Sequence, residues 1–163
     1  MLGAIKAHLG SRQVSRVVYG AIIGLALIVA MEEDPPSSAV VVATLLGTAV
    51  AVGLAELYSD ILGTETRKRR PVRGADLPDM VYDGAAVAFG IAFPVVFFGL
   101  AAAHVIAGDT AFTVAEWSGL GLIGFYGFCA ARLAGESLSA SALRALGVGL
   151  IGAILIVLKS LLH

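Results

Sequence analysis

Residues 56–83 read ELYSDILGTETRKRRPVRGADLPDMVYD, and this stretch separates two long apolar segments. Five of the eleven basic residues lie in its centre, and each of its ends carries two carboxylates four residues apart. The basic residues are Arg67, Lys68, Arg69, Arg70 and Arg73. The carboxylates are Glu56 with Asp60, and Asp79 with Asp83. Because residues four apart share one face of a helix, the stretch predicts two acidic helix ends joined by a basic turn.

The composition indicates a membrane protein. Of the 163 residues, 58% are hydrophobic and only 14% are charged, whereas about a quarter of the residues in a soluble domain are charged. The apolar segments are about 15 to 23 residues long, which is the length that crosses a hydrocarbon layer of about 30 Å. We therefore predict an all-α, polytopic protein, a single membrane domain over residues 1–163, in a bacterial inner membrane. No nucleophile–base pair and no Cys/His spacing typical of zinc is present, so we expect no enzyme activity.

Signals that start and end helices predict five transmembrane helices. The proline pair at 35–36 ends the first helix, Gly63 is placed to end the second, and Pro78 opens the third. Pro94 predicts a kink in the third helix, and a Thr-Val-Ala-Glu capping box at 113–116 opens the fourth. The predicted helices cover about residues 14–31, 38–62, 79–106, 114–134 and 141–162, with a basic loop at 63–78.

The basic residues orient these helices. If the N-terminal segment and the basic loop lie on one side, ten of the eleven Lys and Arg residues lie there, and Lys159 is opposite. By the positive-inside rule, the N-terminus and the loop are then cytoplasmic. Residues 1–16 hold three basic residues and no acid, which fits an interfacial helix, although a targeting peptide has similar chemistry. Beside membrane spans, we expect the basic loop to contact anionic lipid rather than nucleic acid.

Small residues at helical spacing predict where helices approach each other. Gly20 and Gly24 form a G-x-x-x-G motif in the first helix, and Ala43, Gly47 and Ala51 repeat the spacing in the second. Such motifs let two backbones come close together. For Gly20 and Gly24 two interpretations stay open, namely packing within one bundle and the seam of a homodimer. Association with another membrane protein is a further alternative.

The two acidic pairs form the candidate site. A carboxylate at membrane depth is costly and usually faces protein or water, and clustered carboxylates suit divalent ions such as Mg²⁺ or Mn²⁺. We therefore predict that Glu56, Asp60, Asp79 and Asp83 bind a divalent cation. Glu56 and Asp83 are expected to lie about one helical turn deeper than their partners. The alternative is that the acids pair with the arginines between them.

Two segments resemble the vacuolar iron transporter family. Residues 51–59, AVGLAELYS, are similar to the family's small-residue run ending in Glu-Tyr, and residues 143–149, LRALGVG, are similar to its terminal helix. The resemblance implies five spans, export of Fe²⁺ or Mn²⁺ from the cytoplasm against protons, and a dimer that contacts through the first helix. The chain departs from the family at Ile23, where the family has an acid before the glycine. It also has a short basic loop where the family has a helical extension that gathers metal.

These observations give two functional hypotheses. The first is divalent metal handling or proton-coupled transport of Fe²⁺ or Mn²⁺, with the four carboxylates as ligands or proton-exchange groups. The second is a non-transporting membrane scaffold or an accessory subunit of a membrane complex. Carboxylates at membrane depth favour the first. The lack of an acid in the first helix and the few polar residues within the helices favour the second.

Overall fold

A computed structural model describes residues 13–143, 145–147, 150 and 154 of the chain. Within these residues the chain is helical and contains no strand, which confirms the predicted all-α class. The helices are α1 (Gln13–Met31), α2 (Ser38–Lys68), α3 (Leu77–Ala92), α4 (Val95–Ala102) and α5 (Gly108–Leu133). A further helical segment begins at residue 138 and includes residues 138–143 and 145–147.

The helices are compatible with a multi-pass membrane protein. α1, α2 and α5 are each long and apolar enough to cross a membrane, and α3 with α4 makes a fourth candidate span that is bent by 46°. The bend lies at Pro94, which has no N–H to continue the helical hydrogen bonds. The predicted kink is therefore confirmed. The predicted interfacial helix at 1–16 and the fifth span at 141–162 lie largely outside the described residues, so five spans stay a prediction.

The predicted end of the second helix at Gly63 is wrong. α2 continues to Lys68 and ends where Arg69 adopts a left-handed conformation with φ of 47°. Arg67 and Lys68 occupy the last turn, where positive charge is favourable at the negative end of the helix dipole. A glycine inside a helix costs only about 1 kcal/mol relative to alanine, so Gly63 alone does not stop it.

Two later boundaries also differ from the predictions. α5 begins at Gly108, before the predicted capping box at 113–116, and Thr113 Oγ1 donates a hydrogen bond to the carbonyl of Asp109. A threonine hydroxyl bonded to the carbonyl four residues earlier lies inside a helix, so Thr113 is not a cap. α4 ends at Ala102, earlier than the predicted end at 106.

α3 is the central helix, because it packs on both α1 and α2 while those two touch each other little. Glycines permit both approaches. On the α1 side, a Cβ added at Gly90 would lie 2.6 Å from the backbone nitrogen of Ala21 and would overlap the carbonyl oxygen of Val17. On the α2 side, a Cβ added at Gly84 would lie 2.8 Å from the carbonyl oxygen of Gly53. Both interfaces therefore need a residue without a side chain.

Gly20 and Gly24 belong to the first of these interfaces. A Cβ added at Gly24 would lie 3.0 Å from the carbonyl oxygen of Ile91, and one at Gly20 would overlap that of Val87. Both glycines are buried. Of the two interpretations of Gly20 and Gly24, the structure supports packing within one bundle, because α3 already occupies the face that the predicted dimer seam would use. Homodimerisation through another surface stays a prediction.

Apolar side chains fill the other end of the bundle, near the end of α1 and the start of α2. Phe98 and Phe112 pack edge to face with ring centroids 4.8 Å apart. Ile28 and Leu45 are fully buried in the same cluster. The ion pairs between α1 and α2 lie at the opposite end of the bundle, which carries the basic loop.

Candidate functional site

Three helix ends meet at the polar end of the bundle: the start of α1, the last turns of α2 and the start of α3. α2 has 31 residues and is about 46 Å long, which exceeds a hydrocarbon layer of about 30 Å. It starts directly after the acidic, proline-containing residues 32–36, so the surplus length lies at its C-terminal end. Asp60, Arg67 and Lys68 therefore lie near the membrane surface or beyond it.

Arg16 of α1 joins two of the predicted site residues on α2. It forms an ion pair with Glu56, and its Nη2 lies 3.3 Å from Oδ1 of Asp60. The side chains of Arg16, Glu56 and Asp60 are 24%, 15% and 18% exposed. Partly buried charges are screened less by salt than exposed ones, so this bridge resists salt better than a surface pair. These two acids thus pair with an arginine, as the alternative interpretation expects, but that arginine comes from α1 rather than from the basic loop.

A second polar cluster closes the turn between α2 and α3. Asp76 accepts hydrogen bonds from Lys68 at 2.6 Å, from Arg70 at 2.9 and 3.2 Å, and from the Arg73 backbone N–H at 3.1 Å. The hydrogen bonds from Arg70, then Lys68 and Arg73, hold the pKa of Asp76 well below its ordinary value. Asp76 is missing from the predicted site. The sequence does carry a signal for Asp76, because it directly precedes the Leu-Pro start of α3 and aspartate is common at the position before a helix.

A cavity of about 190 Å³ opens between the last turns of α2, the turn and the start of α3. Of the four residues predicted to bind a cation, Asp60, Asp79 and Asp83 line it, whereas Glu56 does not. The other lining residues are Thr64, Arg67, Lys68, Ala75, Asp76 and Met80. The fold thus brings three of the four predicted carboxylates to one cavity and leaves the fourth on Arg16.

Asp83 is the most enclosed carboxylate of this cavity. It is 7% exposed, whereas Asp79, one turn earlier on α3, is exposed to solvent. Within the described residues, no ion pair or hydrogen bond reaches Asp83. Within the described residues, every side-chain oxygen that is fully occluded has a hydrogen-bond partner. Because Asp83 has no such partner among these residues, its carboxylate oxygens are not fully occluded and keep their access to the cavity.

The cavity is not a preformed metal cage. The described residues contain no group of three or more His, Cys, Asp or Glu side chains placed to hold a metal ion. The cavity has room for several water molecules, each of which takes about 30 Å³ in the liquid. This arrangement suits a proton or a hydrated cation at Asp83 better than a dehydrated metal ion.

Comparisons of the chain with protein-family models, with curated protein sequences and with solved structures find no match. The resemblance to the vacuolar iron transporters stays an expectation from two short segments.

Proposed function

We propose that the chain is a multi-pass membrane protein that binds a small cation at Asp83 and carries it across the membrane. The cargo is a divalent ion such as Mn²⁺ or Fe²⁺, in exchange with protons. The observation that supports this most is the enclosed position of Asp83 beside a polar cavity. Ionisable groups within membrane helices are costly, and they commonly mark the paths of ions and protons.

The surroundings of Asp83 favour a cation that keeps part of its water. Hard divalent ions are often held by one or two carboxylates together with several waters. Asp83 supplies the enclosed carboxylate, Asp79 supplies a second at the same cavity, and the remaining volume has room for water ligands. A proton competes for the same carboxylates, because a ligand must be deprotonated to bind metal. Metal and proton are therefore bound in alternation.

Arg16 separates the predicted carboxylates into two groups with different roles. Its charge is shared by Glu56 and Asp60, so these two acids have a counter-ion without any cargo. No such partner reaches Asp83 within the described residues. We therefore assign cation binding to Asp83, with Asp79 assisting, and assign to Glu56 the joining of α1 to α2.

Calorimetric titration of the purified protein with MnCl₂ tests this assignment. Asp83→Asn should lower the affinity at least about tenfold, which corresponds to about 1.4 kcal/mol. Glu56→Gln is the matched control, because it removes the same charge at the same end of the bundle and should leave Mn²⁺ affinity within about threefold. Equal affinity in wild type and Asp83→Asn, or no binding by wild type, contradicts the proposal.

A second candidate function is an accessory subunit that packs against another membrane protein. The observation that favours it is the outer face of α2, where Ala43, Gly47 and Ala51 are exposed. A Cβ added at Gly47 would meet nothing within 4 Å, so the small-residue motif of α2 has no partner within the described part of the chain. This candidate predicts no Mn²⁺ binding. It also predicts that Gly47→Leu reduces cross-linking to the membrane partner, whereas Gly99→Leu on α4 does not.

A further inference from the structure

We propose that Arg67, Arg69 and Arg73 form a binding surface for the phosphate groups of anionic lipids in the adjoining leaflet. The structure divides the five cations of the basic stretch into two groups. Lys68 and Arg70 are held by Asp76. The other three are exposed, and no carboxylate lies within ion-pair distance of them among the described residues.

The length of α2 carries these arginines past the hydrocarbon layer, to the side where lipid phosphates lie. Leu62 is the last large apolar residue of α2, and Arg67 follows five residues later, which is about 7.5 Å along the helix axis. Arg69 ends the helix in a left-handed conformation, so the chain turns there, and Arg73 lies in the turn before α3. The three arginines therefore lie past the apolar part of the bundle, on the side where lipid headgroups meet water.

The chemistry of the three side chains fits phosphate. A guanidinium group presents a fork of N–H donors that matches two phosphate oxygens. Arg67 also lines the cavity, but four carboxylates there (Asp60, Asp76, Asp79 and Asp83) outnumber its two cations (Arg67 and Lys68) and repel an anion. The ligand therefore lies at the outer surface. Each basic side chain near an anionic membrane surface strengthens binding about fivefold at moderate salt. Three together predict an effect of about a hundredfold.

The test measures binding of fluorescent phosphatidylglycerol and phosphatidylcholine to the purified full chain in detergent. The test variant combines Arg67→Gln, Arg69→Asn and Arg73→Gln, with asparagine chosen because it tolerates the left-handed conformation. The control variant, Lys68→Gln with Arg70→Gln, removes neighbouring cations that Asp76 already engages. Unchanged phosphatidylcholine binding shows that a variant is still folded.

We expect the triple variant to lose at least about tenfold in phosphatidylglycerol affinity, and the control variant to lose less than about threefold. Each arginine replaced singly should cost about fivefold, with smaller effects at high salt. Full phosphatidylglycerol binding by the triple variant overturns the proposal, as does an equal loss in the control. Displacement of the lipid by millimolar inorganic phosphate also overturns it, because the site would then serve free phosphate.

Discussion

Replacement of Gly90 by alanine tests the packing of α1 on α3. The new Cβ would overlap the carbonyl oxygen of Val17 and would lie 2.6 Å from the Ala21 nitrogen and 2.9 Å from the Gly20 carbonyl carbon. All three are backbone atoms, so no side-chain rotation relieves the contact and the helices must separate. Overpacking of this kind costs about 1 to 3 kcal/mol, while alanine gains about 0.5 to 1 kcal/mol of helix propensity. We expect a net loss of about 1 to 2 kcal/mol.

Gly63→Ala is the matched control for this variant. Gly63 also lies inside a helix, and a Cβ added there would meet nothing within 4 Å. Alanine should therefore stabilise the protein by about 0.5 to 1 kcal/mol. The same variant tests the extent of α2. If Gly63 instead ended the helix in a left-handed conformation, alanine at this position would destabilise the protein.

Reversible unfolding in mixed micelles, followed by the fluorescence of the single tryptophan, Trp117, gives the free energies for both variants. The two substitutions should change the stability in opposite directions. If Gly90→Ala is as stable as Gly63→Ala, α1 and α3 do not approach each other as closely as described, and the assignment of Gly20 and Gly24 to this interface loses its basis.

Two further predictions concern the orientation of the chain and its basic turn. In a variant with Cys129→Ala, single cysteines replacing Glu33 or Gly108 should react with an impermeant thiol reagent in intact cells, and one replacing Arg70 should not; the reverse pattern inverts the topology. Asp76→Asn should lower the melting temperature at pH 7. Because the folded-state pKa of Asp76 is depressed, its contribution is present above the ordinary carboxyl pKa of about 4 and is lost as the pH falls below it. The melting-temperature difference between wild type and Asp76→Asn should therefore shrink toward pH 3; a difference that does not depend on pH contradicts this role.

Local signals in the sequence predicted much of the helical framework. The apolar run that became α1 and the bend at Pro94 follow from hydropathy and from the missing N–H of proline. The end of α2 did not follow, because the breaking signal of Gly63 is weak and the charges of Arg67 and Lys68 favour a longer helix. Helix-ending and helix-extending residues occur close together here, and the sequence alone does not show which of them decides where the helix ends.

The partners of the predicted site residues depended on contacts between distant parts of the chain. Arg16 and Asp60 are 44 residues apart, so their pairing follows only from the packing of both α1 and α2 on α3. Similarly, the motif at Gly20 and Gly24 predicted a close helix contact, but Gly90 on α3 decides that the contact is within the chain. The spacing of residues along one helix predicts which face of that helix is packed, but it does not predict which helix packs against that face.

Uptake of Mn²⁺ by proteoliposomes, with and without an acidic interior, tests the proposed transport most directly. Wild type should take up Mn²⁺ faster than empty liposomes, and an acidic interior should accelerate uptake, because protons leave as the metal enters. Glu56→Gln should behave like wild type, and Asp83→Asn should be no faster than empty liposomes. Wild-type uptake at the rate of empty liposomes under both conditions contradicts the proposal and leaves the accessory subunit as the function to pursue.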